Sequence, residues 1–161
     1  MRSLVLILTS LLFLLLSCAK VVNKSRFKGD KRGLYAVIPF ENYTETPLAG
    51  YRVAAITEGV LRFKGFNVVR IWNYSYKEPT QEELERYFEK AKRKADYIVY
   101  GSVNEFRYKT GIDGEPAVSI TLYIYDVRKG SRIFTGSASA CGWAHESLGT
   151  VAQKLINNLI K

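Results

Sequence analysis

One histidine, one methionine and two cysteines in 161 residues leave little room for metal or nucleophilic chemistry. The histidine is His145, and a lone imidazole completes neither a zinc site nor a Ser-His-Asp arrangement. No Gly-rich phosphate loop, CxxC or HExxH occurs. Glu82, Glu83 and Glu85 cluster, but they fall where the first turn of a helix favours carboxylates for dipole reasons. Nothing shows a carboxylate pair set for glycoside hydrolysis. The composition therefore points away from an enzyme and requires no metal and no cofactor. Long apolar runs are scarce too: Leu4 to Leu16 is well short of the roughly 20 residues a spanning helix needs.

What is present begins at the N-terminus. Arg2, the apolar run and the ending Leu15-Leu16-Ser17-Cys18 describe a secretory signal peptide over residues 1–17. The terminal cysteine resembles a bacterial lipobox, in which diacylglycerol joins the thiol and cleavage leaves Cys18 as the acylated first residue. Ala19 in the next position, rather than an aspartate, directs the product to the outer membrane under the enterobacterial sorting pattern. Residues 18–33 then read as a lipidated basic tether, with Lys20, Lys24, Arg26, Lys28, Lys31 and Arg32 against the single acid Asp30. Each cation near an anionic surface adds about 1 kcal/mol; a solvated linker without a binding role fits the same composition. Its fifteen residues after Cys18 reach on the order of 50 Å when extended, which keeps the domain near its membrane. Loss of Arg2 with the leader takes the net charge from +9 to +8. For an exported chain that balance points to anionic lipid or an acidic partner and not to nucleic acid. Cys141 is left without a second cysteine, so no intramolecular disulfide forms despite an oxidising compartment. It is expected as a small buried hydrophobe.

Residues 34–161 read as one α/β domain. Leu34–Phe40 is a short apolar strand ending at a proline, residues 41–47 a polar loop, and 48–64 a helix with Val53, Ile56, Val60 and Leu61 inward and Gly65 as its terminator. Phe66–Trp72 is a second strand, parallel to the first in a βαβ unit. Thr80-Gln81-Glu82-Glu83 is a capping box that opens a helix to about Lys94. Three strands follow, over 97–108, 117–127 and 132–141, as an antiparallel meander with turns at Asp113-Gly114 and Lys129-Gly130. A last helix is expected from Ala144 to Ile160, with His145 at its start. The order βαβαβββα implies a single mixed sheet with flanking helices.

Val37-Ile38-Pro39-Phe40-Glu41-Asn42 and Ala95-Asp96-Tyr97-Ile98-Val99-Tyr100-Gly101-Ser102-Val103 resemble a periplasmic lipoprotein family that includes the curli secretion lipoprotein CsgG and the penicillin-binding-protein activator LpoB. The stretch from Glu105 to Val118, with Gly142-Trp143 and Val151-Ala152-Gln153-Lys154-Leu155-Ile156, is most similar to the PelC-like lipoproteins of Pel exopolysaccharide export. This resemblance implies a ring-forming homo-oligomer on the periplasmic face of the outer membrane. The ring would associate with a β-barrel export protein and guide polysaccharide, cationic or anionic, toward it. It further implies acidic side chains toward the polymer, for which Asp113 and Glu115 are the candidates; a solvated hairpin turn accounts for the same pair. Trp143 matches a tryptophan that such proteins place against the membrane, a position that suits an amphipathic ring; a core tryptophan capping the sheet is the competing reading. An LpoB-like synthase activator or a CsgG-like secretion component are the alternatives within the family. The short tether favours export.

Overall fold

A computed structural model describes residues 26–110 and 114–161, together with the backbone of Val21–Val22. The strands are β1 (Val21–Val22), β2 (Leu34–Val37), β3 (Glu41–Asn42), β4 (Asn67–Val69), β5 (Tyr97–Tyr108), β6 (Pro116–Asp126) and β7 (Ser131–Cys141). The helices are α1 (Ala49–Phe63), α2 (Gln81–Lys92) and α3 (Leu148–Leu159). One mixed sheet runs β1-β7-β6-β5-β2-β4, with β3 also beside β5. The parallel pairs β2–β4 and β2–β5 and the antiparallel β5–β6–β7 meander follow the predicted order.

The meander forms because Val118, Ile120, Leu122 and Ile124 alternate with Ser119, Thr121, Tyr123 and Tyr125, which sends one set to the core and leaves the other half-buried. α1 and α3 pack on each other and on the apolar face. α2 lies on the opposite face, where Phe88 meets Tyr100 and Tyr125 edge-on at 5.5 and 5.3 Å. The α2 start is the predicted capping box: the Thr80 hydroxyl accepts from Glu83 N, and the Glu83 carboxylate accepts from Thr80 N.

Three element boundaries differ from expectation, each with a local cause. The first strand stops at Val37 and resumes as β3 inside the segment read as a polar loop. Pro39 has no N–H for the ladder, and Phe40 N turns out to Gly50 O at 3.3 Å. The second strand is three residues long. Beyond it Arg70 leaves to pair with the buried Glu58 at 2.6 Å, and the Trp72 indole donates to Val37 O at 2.9 Å. The last helix begins at Leu148, because Ser147 is its N-cap and accepts from Thr150 N at 3.1 Å. His145 therefore sits exposed in the turn before the helix rather than in its first turn. Cys141, expected in the core, ends β7 only half-buried.

The folded body also reaches into the segment read as tether. Phe27 is buried against Phe134, Tyr35 and Phe66. Its amide donates to Leu159 O and its carbonyl accepts from Lys161 N, both at 2.8 Å. From Phe27 onward the chain is a strap fixed to the end of α3, and Lys28, Lys31 and Arg32 project from it. An aromatic residue among the cations was the sign of this in the sequence.

Candidate functional site

Two pairings orient the molecule relative to its N-terminus. β1 is antiparallel to β7 with Val21 opposite Ser139 and Val22 opposite Ala138. Cys18 lies outside the described residues, but covalent geometry alone keeps it within roughly 11 Å of Val21. The chain therefore runs back from Val21 toward the C-terminal end of β7, and its partner there, Ser139, is four residues from Trp143. The β5–β6 hairpin closes at the same end, where Tyr108 pairs with Pro116 and Ala117 with Cys141.

Trp143 is 69% exposed, which removes the core reading. The core tryptophan is Trp72, nearly inaccessible and hydrogen-bonded. The backbone under Trp143 is fixed on three sides. Gly142 N donates to Pro116 O at 2.7 Å, Glu146 N to Trp143 O at 2.8 Å, and Trp143 N to the Glu146 carboxylate at 3.0 Å. Glu146 also takes the Lys154 ammonium. That hydrogen bond first, and the Trp143 amide second, hold its carboxyl below the ordinary glutamate range. Gly142 is required by close approach: a Cβ there would meet Val151 Cγ2 at 2.5 Å and Pro116 Cγ at 2.9 Å. The result is a rigid turn presenting an indole to solvent.

A second ring stands at this end that the sequence reading did not single out. Tyr108, the last residue of β5, is 51% exposed and flanks Pro116 from the other side. An aromatic that breaks the buried alternation at a strand end was the available signal. Of the two acidic candidates, Asp113 lies outside the described residues. Glu115 is half-buried beside the turn, its carbonyl accepting from Lys109 N at 2.8 Å and its carboxylate 3.6 Å from the Lys109 ammonium. The structure thus brings Trp143, Tyr108 and Glu115 to one end, the end from which the chain runs back to Cys18. Among the described residues no group of His, Cys, Asp and Glu is placed to hold a metal, and no helix is long and apolar enough to cross a membrane.

No protein-family model and no curated protein matches the chain. Solved structures do. A PelC dodecamer from Paraburkholderia phytofirmans is 34% identical, with a TM-score of 0.73, over 88% of this chain and 94% of that one. A point variant of the same dodecamer gives 33% identity and a TM-score of 0.71 over the same shares. Lipoprotein GNA1162 from Neisseria meningitidis is similar in fold, at 19% identity and a TM-score of 0.52 over 77% of this chain and 95% of that one. At that identity and coverage the chain belongs to the PelC family.

Proposed function

We propose that this protein is a lipid-anchored, ring-forming component of exopolysaccharide export, held on the periplasmic face of the outer membrane beside a β-barrel export protein. The observation that carries the reading is the coincidence of three features at one end of the sheet: the register that leads back to Cys18, the exposed Trp143 and the exposed Tyr108. Amphipathic rings beside an acyl chain suit the headgroup region of a bilayer. Dodecamer formation by the relative at 34% identity supports a closed homo-oligomer, whose head-to-tail interfaces are heterologous. The β5–β6 hairpin closes at the same end, and in this reading its acidic candidates, Asp113 and Glu115, meet a cationic polysaccharide as it approaches the pore, Glu115 exchanging its Lys109 partner for the polymer. The protein's part is positional rather than catalytic.

The test pairs mass with secretion. Native mass measurement of the acylated protein in lipid nanodiscs should give a single closed oligomer. Cells lacking the gene should lose surface polysaccharide, regain it with the unaltered gene, and fail to regain it with Trp143→Ala or Cys18→Ser. A monomer on lipid, or full secretion with both variants, would remove the reading.

A further inference from the structure

The sheet face opposite α1 and α3 is only partly covered. α2 lies over it, and the stripe of α2 turned toward the sheet is Gln81, Leu84, Glu85 and Phe88, at the i, i+3, i+4 and i+7 spacing of one helical face. A helix packed flat on a sheet carries apolar residues at all four positions. Here Gln81 and Glu85 are polar and exposed, and a cleft of about 320 Å³ stays open beneath them, within the size range of small-ligand sites. Its floor is the cross-strand pair Tyr100 and Tyr123, with ring centroids 5.1 Å apart. The Arg132 guanidinium lies over Tyr123 at 4.8 Å, and Glu41 lines the cleft from β3. Burial holds the Tyr100 phenol above its ordinary range, and the Arg132 charge offsets part of that.

A second cleft, of about 430 Å³, follows along β5, with Tyr43, Glu45, Asn104, Glu105 and Arg107 in its lining. Both clefts open on the same face. Asn104 Nδ2 donates to Thr121 Oγ1 at 3.2 Å, and Thr121 is on the Tyr123 side of β6. The register shift after Val103 pairs Glu105 with Ser119, on that side as well. Tyr43, 68% exposed, joins the clefts, since its hydroxyl donates to the Glu41 carboxylate at 2.7 Å. Tyr100 to Arg107 is seven residues of β5, roughly 23 Å at the rise of a strand, and the next residue is Tyr108 at the Trp143 end. The two clefts are thus stations on one path along β5, which leads toward that end and the β5–β6 hairpin.

Charge and shape together choose the occupant. Lysine and arginine outnumber aspartate and glutamate 24 to 15 in the chain, yet in these linings the order reverses: Glu41, Glu45, Glu85 and Glu105 stand against only Arg107 and Arg132. Glu105 pairs with Arg107, whereas Glu41, Glu45 and Glu85 have no ion-pair partner among the described residues. The complement is a cation, and no group among the described carboxylates is placed to hold a metal. The rings ask for more than a point charge, because the faces of Tyr100 and Tyr43 accept an ammonium or the polarised C–H face of a sugar. A peptide strand adds to a sheet edge, but β5 is paired on both sides, by β6 and by β2 and β3. Two short clefts also do not make the continuous groove that an amphipathic helix takes.

We infer that the two clefts are successive subsites for amino-sugar residues of a polysaccharide. In the first, Tyr100 carries the ring, Glu41 and Glu85 take the ammonium, and Arg132 donates to hydroxyls. In the second, Tyr43 carries the ring and Glu45 takes the ammonium. That these sugars belong to an exported polymer rests on the export reading; the subsites themselves rest on the clefts alone.

The test uses the acylated protein in phosphatidylcholine nanodiscs, with saturation-transfer NMR as the readout and empty discs as the blank. Four probes are titrated: tetramers of glucosamine, of N-acetylglucosamine and of galacturonic acid, and a synthetic peptide of residues 19–33. The glucosamine tetramer should bind, the N-acetylated one about fivefold more weakly, and the galacturonate tetramer not at all. Gln81→Trp, which fills the first cleft from an exposed position, and Tyr100→Ala should each weaken the glucosamine tetramer about tenfold, with the Gln81→Trp melt unchanged. Tyr43→Ala should weaken it about threefold, and no change there would remove the second subsite. Glu41→Gln with Glu85→Gln should erase the preference for the free amine. Absence of binding, or binding that survives Gln81→Trp in full, would overturn the proposal. A galacturonate tetramer bound more tightly would overturn the charge assignment, and a peptide bound more tightly would give the clefts to a basic chain segment instead. An oligomer mass altered by Gln81→Trp would show a second copy in the cleft and overturn the sugar assignment equally. In cells, Gln81→Trp should lower surface polysaccharide. Normal secretion with binding lost would refute the link to export and leave the sugar site standing.

Discussion

The two ends of this domain solve opposite problems. At the Trp143 end the described cations are neutralised in pairs, Arg107 with Glu105, Lys109 with Glu115 and Lys154 with Glu146, and aromatic rings stand in solvent. At the strap end Phe27, Tyr35, Phe66 and Tyr97 are buried, with Phe63 exposed in the last turn of α1, and most of the cations have no carboxylate partner among the described residues. A membrane interface accepts amphipathic rings and penalises unpaired charge; a face in water tolerates unpaired cations. A net charge of +9, taken as a property of the whole chain, conceals this division. It also explains why a basic chain can belong to a family expected to offer carboxylates to a polymer: the excess charge sits away from the hairpin.

The comparison breaks first if the strap is loose. Phe27→Ala empties a site walled by Phe134, Tyr35 and Phe66 and should cost about 3–5 kcal/mol in urea melts of the soluble domain; a cost below about 1 kcal/mol would detach Lys28, Lys31 and Arg32 from the far end. Gly142→Ala forces a Cβ against Val151 and Pro116, and overpacking of this kind should cost about 1–3 kcal/mol. It should also change the Trp143 near-ultraviolet dichroism. An unchanged melt would mean the turn is softer than its contacts imply. Trp143→Ala removes only exposed surface, so its melt should stay within about 0.5 kcal/mol while vesicle retention of the acylated protein falls. A large stability loss would put the ring back in the core. The smallest effect is electrostatic. Because Lys154 and the Trp143 amide depress the Glu146 pKa, the stabilisation is present above the ordinary glutamate pKa and fades as pH falls through the lower folded value. Stability should therefore differ slightly between the native protein and Glu146→Gln at neutral pH and converge in acid. A gap that widens in acid would reverse the sign of the argument.

Much of the fold was legible because the strongest signals are periodic. The alternation of Val118 to Tyr125 fixes which face of β6 is core, and Thr80 with Glu83 marks the start of α2. Where the reading missed, a tertiary contact outweighed a local pattern. Trp72 completes an apolar strand-like run, yet its indole is needed at Val37 O. Phe27 sits among lysines that read as linker, yet the gap between α3, β2 and β7 needs a ring. Of the site, Trp143 was legible through the resemblance, whereas its exposure was open until the turn at Gly142–Glu146 could be seen. Tyr108 was marked only as an aromatic at a strand end, and the sequence does not say whether its ring turns inward or out. The clefts along β5 were invisible for a different reason: their side chains come from separate stretches of chain that only the fold assembles.

The most direct test of the division is depth. In a Cys141→Ser background, single cysteines introduced by Trp143→Cys and Lys129→Cys are labelled with an environment-sensitive fluorophore on the acylated protein, reconstituted in vesicles carrying nitroxide lipids. The account predicts a blue-shifted, strongly quenched label at position 143 and an aqueous, unquenched label at position 129. Equal quenching at both positions, or quenching at 129 alone, would contradict it.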